Sequence, residues 1–118
     1  MLSRRERLGT AAFAAGFGKG RILRHPLLQL RVYARHDGDS ATRAAFVVSK
    51  KLGKATVRNR ARRRIREIYR LSAVHGDGRL AGLDLIFLAT PAALTAEAVQ
   101  LQEAIEQLSR RALKIASS

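Results

Sequence analysis

The stretch SKKLGKATVRNRARRRIREIYR, residues 49–70, holds ten Lys or Arg and one acid, Glu67. Cations at this density hold phosphates, Arg as a planar two-toothed fork and Lys as a point charge. Lys50, Lys51 and Lys54 surround Gly53 as a flexible approach. Arg58, Asn59 and Arg60 then open a helix, where free N–H groups and the positive dipole end favour an anion. Cations there are locally unfavourable without one. A merely solvated helix face places Glu four residues from several arginines, and only Arg63, with Glu67, has such a partner. Arg62 and Arg66 continue the row that Arg58 begins, so the pattern points to nucleic acid.

Aromatic residues offer a second chemistry. Phe13, Phe17 and Tyr33 suit stacking against single-stranded bases, although an apolar helix face carrying two Phe by itself better suits a core. Catalysis by side chains finds little support. The nine acids are scattered, without the clustering that two-metal phosphodiester cleavage requires. His25, His36 and His75 lack metal-ligand spacing, and Asp37 and Asp39 fall in a turn, where Asp bonds locally. The sequence thus yields no catalytic residue and no metal ligand set.

These residues sit in a chain of 118, the size of one compact domain (1–118), with 47% apolar residues to fill a core. The net charge of +14 is polarised: residues 1–75 carry 19 Lys and Arg against 4 acids, residues 76–118 carry 4 against 5. A polyanionic partner is expected. Membrane binding would need a longer apolar or strongly amphipathic segment, so no membrane partner is expected. The basic opening MLSRRERLGTAAFAAGFG resembles an export signal only loosely, being Ala- and Gly-rich and followed at once by Lys19, Arg21 and Arg24. Absence of Cys permits a cytoplasmic setting.

The periodicities position the motifs. Thr10 is placed to cap a short helix to Phe17, ended by Gly18 and Gly20. Residues 27–34 alternate, with Leu28, Leu30 and Val32 on one side and Gln29, Arg31 and Tyr33 on the other. Residues 44–49 form a second strand, and the two read as a hairpin across the turn-rich 36–43; residues 22–24 add a short edge strand. Val57, Ala61, Ile65, Ile68 and Tyr69 make the buried stripe of the basic helix. The apolar run 83–90 suits a central strand covered on both faces, stopped by Pro91. Thr95 is placed to cap a last helix whose stripe runs from Leu94 to Ile115. The order is α-β-β-β-α-β-α, an α+β class.

Residues 49–67, SKKLGKATVRNRARRRIRE, closely resemble the signature of the bacterial ribonuclease P protein component: an SKK-x-GKA approach, an RNR triplet, basic pairs and an RE ending. Arg7–Leu8, Phe13, Phe17 and Gly20 fit that family's opening helix, and 83–90 and 94–115 its last strand and helix. The resemblance implies one two-layer domain, with helices packed on a mixed four-stranded sheet and a left-handed βαβ crossover, against the usual right-handed preference. It implies a ribonucleoprotein, an endonuclease and hydrolase, that removes the 5′ leader of precursor tRNA. The RNA subunit does the chemistry with Mg²⁺, no cofactor is tightly bound by the protein, and no obligate protein partner is needed. Lys50, Lys54, Arg58, Asn59, Arg60, Arg62, Arg63 and Arg66 would lie against the catalytic RNA. Phe13, Phe17 and Lys51 would line a leader cleft. Where relatives often place an aromatic on the first long strand this chain has Arg31, with Tyr33 on the same face, so either supplies that contact. Other classes stay open: a ribosomal-type or RNA-chaperone binder of structured RNA, and a DNA-binding regulator. An almost purely Arg helix face suits phosphates better than base edges, which weakens the last.

Overall fold

The computed structural model describes residues 2–116, and side chains within that range except those of Thr10 and Ala116. Helix α1 spans Thr10–Lys19, α2 Ala55–Leu71 and α3 Ala98–Ala116; the strands are β1 Arg21–Arg24, β2 Leu28–Ala34, β3 Arg43–Val47 and β4 Leu83–Ala89. They form one mixed sheet in the order β1-β2-β4-β3, antiparallel except for the β3–β4 pair.

The sheet has two unlike faces because side chains alternate along each strand. Leu28, Leu30 and Val32 of β2 align with Leu85 and Phe87 of β4 and Ala44 and Phe46 of β3. This face is closed by Ile65 and Tyr69 of α2 and by Leu101, Ala104, Ile105, Leu108 and Ala112 of α3. Phe46, Phe87 and Tyr69 meet with ring centroids 5.5–5.8 Å apart. Burial, then Glu6, pushes the Tyr69 hydroxyl up to about 12, so it stays protonated in the core.

The other face carries Arg31 and Tyr33, Asp84 and Ile86, and Arg43, Ala45 and Val47. Helix α1 lies on it, so a short partial layer adds to the expected two. Buried Gly16 makes that approach possible, since a Cβ there would come 3.1 Å from Ile86 Cδ1. Gly20 ends the helix, where a Cβ would come 2.4 Å from the Gly16 carbonyl oxygen.

Strand β4 is central and buried, as its apolar run predicts. The expected β2–β3 hairpin does not form: β4 lies between them, and the hairpin joins β1 to β2. The physical reason is that β4, apolar and buried on both faces, takes the central place, and one charge inside its run ties both neighbours to it. Asp84, 1% exposed, accepts from Arg35 Nη1 at 2.7 Å and from Arg43 Nε and Nη2 at 2.8 and 2.9 Å. Both flanks of the 36–43 turn are thereby drawn onto β4. Arg35 also donates to the Asp39 and Ala41 carbonyls at 2.9 and 2.6 Å, filling the turn's centre. Asp37 and Asp39 accept from the N–H groups of Asp39 and Ala41, the local role expected of them.

Three helix starts differ from expectation. Gly9 is the N-cap of α1, and Thr10 is its first residue. Helix α2 begins at Ala55, so the Arg58–Arg60 triplet lies a turn inside it and Arg58 N–H already bonds the Lys54 carbonyl. The sharp turn at Gly53 (φ 143°) lets the helix start earlier. Pro91–Leu94 form a separate 3-10 turn ended by Thr95, so α3 starts at Ala98, with the Glu97 carbonyl accepting from Leu101 N–H.

Candidate nucleic-acid interface

Helix α2 is held from behind by Ile65 and Tyr69 and leaves its other sides to cations. Lys50, Lys51, Lys54, Arg60 and Arg63 are exposed, as is Asn59; Arg58, Arg62 and Arg66 are half-buried. Among the described residues, no Lys or Arg from 50 to 66 forms an ion pair with a carboxylate. Arg63 and Glu67, four residues apart, form no ion pair; Glu67 instead takes Arg70, at 2.5 Å. Arg70 is one turn further from the triplet, so the only acid of the segment neutralises its far end.

Several arginines are aimed by neutral partners that leave their charge intact. Arg58 Nε donates to the Gly53 carbonyl at 3.1 Å, and Arg62 Nη2 to Asn59 Oδ1 at 2.5 Å. Arg66 lies 5.9 Å from the Phe46 ring centroid, and Arg64 Nη2 donates to the Ala96 carbonyl at 2.5 Å. Carbonyls and amides fix a guanidinium without cancelling it, which preorganises the row for an external anion.

The second candidate surface lies between α1 and the sheet. Phe13 and Phe17 stack with centroids 5.6 Å apart; Phe13 is half-buried and Phe17 is 37% exposed. Neither ring belongs to the core cluster, because Gly16 and Ile86 make the close contact beneath α1. Arg31 reaches up from β2: its guanidinium carbon lies 3.7 Å from the Phe17 ring centroid, and Nη1 donates to the Phe17 carbonyl at 2.5 Å. Gln29 Oε1 accepts from Arg31 Nε at 3.3 Å. Tyr33 is half-buried beneath Gly16, whose Cβ would stand 3.7 Å from that of Tyr33. Arg31 rather than Tyr33 therefore meets the exposed aromatic. No hydrogen bond, ion pair or ring contact joins Lys51 to this group; its N–H bonds Ser49 Oγ.

Sequence reasoning missed two parts. Asp84 was legible as the one acid in an apolar strand, but its partners Arg35 and Arg43 are distant in sequence. Val57 was expected in the buried stripe and is 41% exposed, because the early start of α2 puts it on the first turn, beyond the reach of the sheet. Among the described residues no three His, Cys, Asp or Glu side chains group as a metal site requires, and no helix is long and apolar enough to cross a membrane.

The Ribonuclease P family model matches residues 2–113. A ribonuclease P protein component of Clostridium kluyveri is 33% identical over 102 residues, covering 86% of this chain and 88% of its own. That of Gluconacetobacter diazotrophicus is 42% identical over 78 residues, 66% of this chain, and the match spans 65% of the relative's length. Among solved structures, the Staphylococcus aureus RNase P protein superposes with a TM-score of 0.71 at 29% identity, covering 94% of each chain.

Proposed function

The chain belongs to the ribonuclease P protein family, and from that premise we propose that it is the protein subunit of a tRNA-processing ribonucleoprotein that removes the 5′ leader of precursor tRNA. The observation that carries the reading is the row of cations from Lys50 to Arg66 that no carboxylate neutralises, on the molecule that also exposes Phe17 under Arg31. Lys50, Lys54, Arg58, Asn59, Arg60, Arg62, Arg63 and Arg66 hold phosphates of the catalytic RNA. Phe13, Phe17, Arg31, Tyr33 and Lys51 serve the leader of the precursor. An aromatic ring and a guanidinium plane both stack on unpaired bases, so this cleft favours single-stranded RNA.

The protein's part is positional and electrostatic. Its cations screen the repulsion between two RNAs and so lower the Mg²⁺ that the holoenzyme requires. The hydrolysis belongs to the RNA; the described residues group no carboxylates as a metal site requires, and Asp84 is committed to two arginines. Stacking in the cleft adds on the order of 1–3 kcal/mol per base, which separates precursor from mature tRNA. Each phosphate contact releases counterions, so binding falls steeply with salt. The setting is cytoplasmic, and RNA is the only partner the assembly needs.

The test is leader cleavage of a precursor tRNA by a bacterial ribonuclease P RNA at limiting Mg²⁺, with and without this protein. Cleavage at the mature 5′ end should appear only with the protein. An unstimulated RNA, in the presence of folded protein, would reduce the reading to general RNA binding.

A further inference from the structure

Val57 is an exposed apolar side chain in the most cationic part of the molecule. It borders a cavity of about 220 Å³ between α2 and the turn leading into α3. Ala61 and Ile65 of α2, with Leu94 and Leu101 across from them, supply apolar walls; Arg60 and Arg64 stand at its polar side. The cavity therefore pairs an apolar side with a cationic one, which suits an occupant that is itself part apolar and part anionic. Arg64 is fixed by its bond to the Ala96 carbonyl, and Arg60 is exposed with no carboxylate partner. Val57 is itself braced from behind, since a Cβ on Gly53 would stand 3.3 Å from its Cγ1.

A cavity with apolar walls on one side and guanidinium groups on the other suits a heterocyclic base whose own phosphate is anionic. We propose that this cavity seats one unstacked base of the catalytic RNA, with the flanking phosphate on Arg60 and the base against Val57 and Ala61. The inference rests on the subunit reading above and gives the basic helix a base-sized anchor that phosphate contacts alone do not provide. An apolar side chain from a protein partner fits the walls, but the surrounding cations favour the anionic occupant. The anchor fixes register: phosphates recur along any strand, whereas an unstacked base occurs at few places in a folded RNA.

Two substitutions test it without touching a charge. Ala61→Leu fills the cavity, and Val57→Thr, at an exposed position, makes its wall polar at nearly constant shape. Binding to ribonuclease P RNA is measured across a salt series. The complex is then probed with dimethyl sulfate and a carbodiimide, which together report on all four bases. The expected result is that the wild-type protein shields one unpaired base. Both variants, melting like the wild type, should bind about tenfold more weakly with an unchanged salt slope and leave that base reactive. Where Ala61→Leu disturbs helix packing, Val57→Thr carries the test. Wild-type affinity and shielding in folded variants would overturn the inference while leaving the subunit reading intact. A wild-type protein with no affinity for the RNA would overturn both.

Discussion

Arginine does two opposite jobs at two places in this molecule. At the end of the sheet, Arg35 has a side chain 3% exposed and spends its donors on Asp84, Asp37 and the Leu83, Asp39 and Ala41 carbonyls. On α2, Arg60 is exposed and none of the segment's cations from 50 to 66 meets a carboxylate. The first site is satisfied within the chain and holds the fold; the second, held in part by neutral partners, is not neutralised. Acids decide the difference. The carboxylates of Asp37, Asp39 and Asp84 gather around Arg35 and Arg43, whereas the acid of the basic helix is drawn away to Arg70. Charge that a protein leaves uncompensated in an ordered row is charge reserved for a partner.

The sharpest way to break this comparison is to orphan the internal arginines. Asp84→Ala leaves buried Arg35 with only the half-exposed Asp37 carboxylate, strips Arg43 of its partner, and should cost about 3–5 kcal/mol in urea unfolding. If stability barely changed, Asp84 would not hold the sheet corner. The cleft comes next. Phe17→Ala should reduce the preference for precursor over mature tRNA by about 1–3 kcal/mol while leaving affinity for the RNA subunit alone unaltered. Replacing Arg60 with Ala should leave the urea midpoint where it was and weaken RNA binding several-fold, with the salt slope reduced by about one unit for the lost phosphate.

The smallest effect is on the segment before α1. Leu2 is buried in the core, and Glu6 joins His75 and accepts from the Ser3 N–H. Chiefly that N–H, and then the Ser3 side chain and His75 against a small burial penalty, hold the Glu6 carboxyl below its ordinary range. A lowered folded value contributes stability that is complete above the ordinary glutamate range and fades as pH falls through the lowered one. Between about pH 6 and about pH 3, wild type should therefore lose more stability than Glu6→Gln, read as the difference in melting temperature. Equal losses would detach Glu6 from the acid response.

The basic helix and the central strand were legible because each rests on a local pattern. The ten cations of 49–70 are contiguous, and the run from Leu83 to Ala89 is apolar on both sides apart from Asp84. Strand order was not legible from the residues alone. A short turn-rich link between two strands reads as a hairpin, and only Asp84, reaching both Arg35 and Arg43, shows why β4 stands between them. The Phe13–Phe17 spacing placed both rings on one face and, from the residues alone, favoured the core for them. Gly16 brings α1 so close to Ile86 that the rings fall to the side, outside the core cluster. Val57 was misplaced because periodicity does not register where a helix outruns the sheet beneath it.

The claim that the α2 cations are reserved for RNA is tested most directly by a Mg²⁺ titration of leader cleavage with the Arg58→Ala/Arg60→Ala protein. Its unfolding midpoint should stay close to wild type, since neither side chain pairs with an acid and the fold loses only the Arg58 bond to the Gly53 carbonyl. The holoenzyme's Mg²⁺ requirement should nevertheless rise toward that of the RNA alone. A double variant that lowers the Mg²⁺ requirement as well as wild type does would contradict the account, and would return these arginines to the solvated surface of an ordinary helix.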